Sequence, residues 1–259
     1  MAETDDILID RAEGVVTLTL NRPERKNAVT TAMWTQLREV FIEVAENPED
    51  RVLVVTGAGG AFCSGADLSG VGDIASGGLT RMRTVGAAAQ ALHDLPKPTI
   101  AKVPGVAAGA GANLALGCDL IVASDEARFS EIFSARGLSL DFGGSWLLPR
   151  LIGLHRAKEL AFFADILSAK EAQDFGLVNR VVPSSDLDSL VDEWAARLAA
   201  GPPIALSMTK RMLNNASTST LGESLEAEAL SQVVNFKTED LGEAMRAFAE
   251  KRPPNFRGR

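Results

Sequence analysis

Two glycine-rich turns and a few carboxylates are the parts of this chain whose residue types and spacing could do chemistry. The first turn runs Thr56-Gly57-Ala58-Gly59-Gly60-Ala61-Phe62-Cys63-Ser64-Gly65-Ala66-Asp67-Leu68, and the second Pro104-Gly105-Val106-Ala107-Ala108-Gly109-Ala110-Gly111-Ala112-Asn113-Leu114. Each follows an apolar, strand-like run, and its small side chains let a ligand come close to the backbone. N–H groups in the first turn of a helix have no partner within it and point outward. Such groups suit negative charge developing on an oxygen. Gly105, Gly109 and Gly111 do not follow the dinucleotide spacing G-x-G-x-x-G, and the phosphate-loop ending Gly-Lys-Ser/Thr is missing. Glycine-rich strand-to-helix turns are also common packing devices, so on their own these two leave a purely structural role open.

Other chemistries are limited by composition. His93 and His155 are the only histidines, neither at metal-ligand spacing from a second ligand, so no metal site is expected. A Ser–His–Asp triad would lack its G-x-S-x-G elbow. Cys63 and Cys118 carry no paired motif and are expected to be reduced and buried. A net charge of −8 disfavours nucleic acid as a partner but leaves room for a small anionic ligand. The opening MAETDDILID lacks a basic then apolar leader, and no uninterrupted apolar run approaches the length of a membrane span. The expectation is a cytoplasmic protein with no membrane partner.

The elements that must position the turns can be read from periodicity. Gly14 to Leu20 alternates as a strand, and Met33, Leu37, Val40, Phe41 and Val44 form one face of a helix between Thr30 and Glu46. Val52 to Val55 is a continuous apolar run suited to a strand covered on both sides. A helix from about Leu79 to His93, a strand around Thr99 to Val103, a short helix from near Ala110 and a strand from Leu120 to Ala123 follow. Beyond about Arg197 only helices are expected, giving an α/β core over 1–197 and a helical region over 198–259. Leu225, Ala229 and Val233, and Leu241, Ala244, Met245 and Phe248, form apolar stripes there that need a partner, either their own domain or another subunit.

Taken together these segments resemble the enoyl-CoA hydratase/isomerase family, the crotonase superfamily, nearly end to end. Asn21-Arg22-Pro23-Glu24-Arg25-Lys26-Asn27-Ala28 is similar to its NRPxxxNA signature, and the first turn to its AFxxGxDL motif. Gly143-Gly144-Ser145-Trp146-Leu147-Leu148-Pro149-Arg150 resembles its GGxxxLPR stretch, and Ala247-Phe248-Ala249-Glu250-Lys251-Arg252 its closing AFxEKR segment. The resemblance implies a crotonase-type spiral of ββα units with a C-terminal helical trimerisation region, assembled as a homotrimer or homohexamer. It implies an acyl-CoA substrate, so that coenzyme A enters with the substrate and no separate cofactor is needed. The amides of Ala66 and Ala110 would hold the thioester oxygen, with Gly65, Asp67, Leu68 and Gly109 beside them. Phe248 and Lys251 of a neighbouring subunit, with Arg25 and Lys26, would contact the nucleotide. Asp67 and Asp119 read as structural hydrogen-bonders.

Against that pattern two positions depart. Hydratases of the family place two glutamates across a water, and here Asn113 and Phe133 occupy those positions. Neither an amide nor a phenyl ring can exchange a proton near neutrality. Asp141, four residues after Gly137, remains; isomerases resembling this sequence carry an aspartate there, including a branch acting on ring-opened phenylacetyl-CoA intermediates. A lone base can move a proton from one carbon to another, which shifts a double bond without water. For that role Asp141 needs partial desolvation by Leu138, Leu140, Phe142 and Trp146; the alternative is a cap on the following helix. Glu131 reads as a solvated surface residue. Isomerase is the favoured expectation, beside a hydratase using Glu131 or Asp141, an Asp141-nucleophile hydrolase or dehalogenase, and a silent CoA-ester binder. The acyl pocket is expected around Ser69 to Thr84 and near Phe133.

Overall fold

The computed structural model describes residues 5–69 and 77–259, so seven positions of the expected acyl-pocket segment, 70–76, lie outside the described residues. The chain opens with an antiparallel hairpin, β1 (Ile7–Ala12) and β2 (Val15–Leu20), followed by α1 (Thr31–Glu46) and β3 (Val52–Gly57). Then come α2 (Gly78–Asp94), β4 (Thr99–Val103), β5 (Val106–Ala108), α3 (Ala110–Leu116), β6 (Leu120–Ser124) and β7 (Arg128–Ser130). The remainder is α4 (Gly144–Ile152), α5 (Leu154–Phe163), β8 (Leu167–Ser168), α6 (Ala169–Phe175), β9 (Arg180–Val182), α7 (Leu187–Ala199), α8 (Pro203–Asn215), α9 (Leu221–Asn235) and α10 (Glu239–Glu250).

Six strands form one sheet in the order β1-β2-β3-β4-β6-β9, parallel from β2 onward. A second sheet, β5-β7-β8, has β5 and β7 parallel and β8 antiparallel at its edge. Alternation along the central strands divides the core in two. Leu53, Val55, Ala101 and Ile121 join the cluster that holds α1 and α2, while Val52, Val54, Ile100 and Val122 face Leu187, Val191 and Ala195 of α7. Helix α1 is capped by the Thr30 hydroxyl, which accepts from Met33 N–H, and buries Met33, Trp34, Leu37, Phe41 and Val44. Truncating one of these large side chains to alanine is worth about 2–5 kcal/mol.

The helices after α7 are differently placed. Neither α8 nor α9 buries a residue completely, and Leu225, Val233, Met245 and Phe248 are all exposed. The stripes therefore do not pack fully on their own domain. The chain end folds back on α10, where the Arg257 and Gly258 N–H groups donate to the Asp240 carboxylate at 2.7 and 2.9 Å. No helix among the described residues is long and apolar enough to cross a membrane.

Candidate active site

The two glycine-rich turns lie side by side because the segment after β3 runs parallel to β5. Phe62 and Cys63 N–H both donate to Val106 O, Ala108 N–H donates to Cys63 O, and Cys63 bridges Ala107. Three residues further along the two segments stand Ala66 and Ala110, preceded by Gly65 and Gly109; a Cβ on Gly65 would lie 2.9 Å from Ala108 O and 3.7 Å from Ala110 N. Both glycines have positive φ, +102° and +53°, which few other residues tolerate. The turns also touch closely: a Cβ on Gly111 would fall 2.3 Å from Cys63 O.

Backbone pairing sets the direction of each amide. Val29 N–H donates to Gly65 O and Asp67 N–H to Val29 O, so Ala66, between them, turns its own N–H away from Val29. Ala110 opens α3, directly after Gly109, whose N–H is taken by Ser130 O. Neither the Ala66 nor the Ala110 N–H donates to an acceptor among the described residues. Two such donors on adjacent turns can hold an oxygen that gains negative charge.

Polar side chains fix this frame from behind. Asn27, fully buried at φ +57°, accepts from Arg22 N–H and donates to Ala58 O and Ala61 O. Arg22 pairs with Asp67 at 2.9 Å and donates to Ala28 O. The Ser69 hydroxyl and N–H, and then Arg22, hold the Asp67 carboxyl down at about 2. Asp119 accepts from Thr99 N–H and hydroxyl and meets Lys210 at 2.7 Å. Arg25 and Lys26 are exposed, but their carbonyls accept from Ser64, which sets both beside the turn carrying Ala66; Leu68 is exposed at its far end. Phe248, 84% exposed, and Lys251 sit at the end of α10.

Around α3 the carboxylates gather. Asn113 lies one turn beyond Ala110 on the same helix face, fully buried, and its Nδ2 donates to Asp141 O at 3.0 Å and Glu131 Oε2 at 3.3 Å. Phe133 is buried, its ring edge 3.6 Å from where a Cβ on Gly109 would sit. The Asp141 carboxyl does not cap α4. Gly143, at φ +82°, is the cap, with no side-chain bond, and Asp141 Oδ1 is buried without a partner. Burial pushes this carboxyl up to about 6. The expected apolar wall is only partly present. Phe142 is buried against Trp34 at 5.1 Å, whereas Leu138 is exposed and Trp146 meets His93 edge to face, with the Arg150 guanidinium over its ring, at a cleft of about 380 Å³ between α2 and α4.

Glu131 corrects the sequence reading. It is not a solvated surface residue but 4% exposed, beside a cavity of about 10 Å³ that is lined by leucines of several elements. Desolvation pushes its carboxyl up to about 8; the Asn113 bond pulls the other way and the Asp141 charge adds to the rise. It lies just past β7, beyond buried Phe129 and Ser130, where no alternation marks which side faces inward. Cys63 and Cys118 are free and buried, each thiol raised to about 12 mainly by desolvation.

Known proteins share this architecture across its length. The family described as Enoyl-CoA hydratase/isomerase matches residues 10–259. The 1,2-epoxyphenylacetyl-CoA isomerase of Escherichia coli K12 is 40% identical over 258 residues, 98% of each chain. The crotonyl-CoA hydratase of Syntrophomonas wolfei is 32% identical over 257 residues, 97% of this chain and 98% of its own. The crystal structure of an enoyl-CoA hydratase from Bacillus anthracis superposes with a TM-score of 0.95 at 32% identity, covering 98% of this chain and all of that one. With its parallel sheet, its paired glycine turns and these full-length matches, the chain belongs to the enoyl-CoA hydratase/isomerase family, with the crotonase fold.

Proposed function

We propose that this enzyme shifts a carbon–carbon double bond in an enoyl-CoA, from the 3,4 to the 2,3 position or in a related ring-derived thioester. The thioester oxygen accepts from Ala66 and Ala110 N–H, which lowers the cost of removing the proton next to the carbonyl. The Asp141 carboxylate takes that proton, leaving a dienolate whose charge sits largely on the thioester oxygen. The same carboxyl returns the proton two carbons further along, the double bond moves into conjugation, and Asp141 is a carboxylate again. A base raised to about 6 can both accept and donate near neutrality. Arg25 and Lys26 contact the coenzyme A phosphates, and Phe248 and Lys251 reach the nucleotide of a neighbouring subunit.

The observation that carries this reading is the Asp141 carboxyl itself, with one oxygen buried and unpartnered, beside an asparagine and a phenylalanine where a water-activating pair would need two acids. The matched isomerase in E. coli is named for a related thioester. The test compares purified enzyme on a 3-enoyl-CoA and on a 2-enoyl-CoA in water. Expected is isomerisation far faster than hydration, with Asp141→Asn losing about 10²–10⁴ in kcat, the range of one general base, while CoA-ester affinity holds. Hydration outrunning isomerisation, with Asp141→Asn unimpaired, would overturn the assignment. A hydratase reading draws on Glu131 as a second acid, but that carboxyl borders the leucine-lined interior cavity.

A further inference from the structure

Glu131 has no part in the mechanism above, yet it is among the most buried carboxyls of the chain and touches the residue that holds Asp141 in place. Around it α3 contributes Ala112 and Leu116, α4 Leu148, α5 Leu160, β8 Leu167 and the turn after α6 Leu177. None of these can titrate or compensate a charge, and the Ser130 hydroxyl, which also lines the cavity, donates to Ala164 O. Among the described residues the one titratable neighbour acting on it is Asp141. A bare carboxylate would also leave the polar inventory unbalanced, because Asn113 Oδ1 is buried without a donor and a carboxylate offers none. A protonated carboxyl does: an acid facing an amide can pair both ways, its O–H to the amide oxygen and the amide N–H to its other oxygen, and the second half of such a pair, Asn113 Nδ2 to Glu131 Oε2, is in place at 3.3 Å. Side by side, amide and acid complete a two-way pair, and the second Nδ2 hydrogen remains on Asp141 O. Gly144 closes the arrangement from the other side, since a Cβ there would lie 2.4 Å from Asn113 Nδ2.

We propose that Glu131 is a positioning residue which, as an uncharged carboxyl, locks Asn113 in a reciprocal acid–amide pair, so that Asn113 fixes the Asp141 backbone and Asp141 keeps the site's only negative charge. The role rests on the isomerase reading for its consequence in rate, but the pair itself does not. Loss of the Glu131 proton puts a second charge beside the base and opposes the anionic dienolate. It also breaks one half of the pair. Activity therefore declines as pH rises past the point where Glu131 ionises.

Three measurements on the full-length protein decide the matter. The Glu131 carboxyl is followed by carbon NMR in the folded protein, with expected titration above pH about 7 because burial disfavours the charged form. Thermal stability is compared between wild type and Glu131→Gln. The folded state binds the extra proton, so wild type should lose stability as pH rises from about 6 to about 8, and the variant should not. Kinetically, Glu131→Gln should retain kcat at pH 7 to within about threefold and flatten the alkaline decline, since an amide can pair with Asn113 but never ionises. Glu131→Leu should lower kcat about tenfold or more with KM little changed, the scale of one unsatisfied buried group. Titration of Glu131 below pH about 5.5 would overturn the pair. An alkaline profile of Glu131→Gln that superimposes on wild type would overturn the positioning role. Should the enzyme fail to isomerise any 3-enoyl-CoA, the function proposed above falls while the NMR and stability arms still judge Glu131.

Discussion

A carboxyl held near 6 shapes how Asp141 should respond to pH. Isomerase activity is expected to rise as pH increases through about 6, where the base becomes charged, and initial rates between pH 4.5 and 8 would show it. Stability runs the other way. Because the folded-state value lies above the ordinary aspartate value, folding takes up a proton between about 4 and 6, and stability falls as pH rises across that window. Asp141→Asn removes the unfavourable desolvation, so at pH 7 the inactive variant should unfold at higher temperature, by the equivalent of roughly 1–3 kcal/mol. An aspartate engaged in capping would give the opposite sign. Of the proposed site residues, Asp141, Asn113 and Phe133 were legible by resemblance to the family pattern, counted from the second glycine turn and from Gly137. Glu131 was not, because three residues of β7 carry too little periodicity to say which face meets the interior.

Among the elements, the parallel run of residues 62–66 against 106–110 does for the two amides what side chains do elsewhere. Gly111→Ala should force these segments apart, since its Cβ would meet Cys63 O at 2.3 Å with backbone on both sides. The expected result is a loss of kcat beyond tenfold together with about 1–3 kcal/mol of stability, read by kinetics and by denaturant unfolding. Gly65 and Gly109 announced themselves in the sequence as glycines, but not their closeness. That closeness depends on Cys63 bridging Ala107, a contact that spans α2 and β4 in sequence. The longer elements were legible because α1 and α2 bury one patterned face each and β3 and β4 are mostly apolar runs covered on both sides. Strands of two or three residues, β5 and β7 to β9, exist only through their neighbours and left no mark in the sequence.

On the scale of the whole molecule, α8 to α10 carry apolar residues that a lone chain leaves in water, Leu225, Leu230, Val233, Phe236 and Met245 among them. Residues 198–259 are expected to bury these faces against other copies of the chain. Light scattering on the wild type should give a mass well above the 27.4 kDa of one chain, and Leu225→Asp with Val233→Asp should return it toward that value. If Phe248 and Lys251 serve a neighbour's nucleotide, the same double variant should also raise KM for the CoA ester, although neither changed residue touches the catalytic turns. The donors at Ala66 and Ala110 belong to the main chain and are aimed by backbone pairing alone. On the proposed mechanism, any acid, amide or ring around them can be substituted, and the bond that is made or moved revised, without touching the groups that hold the thioester oxygen.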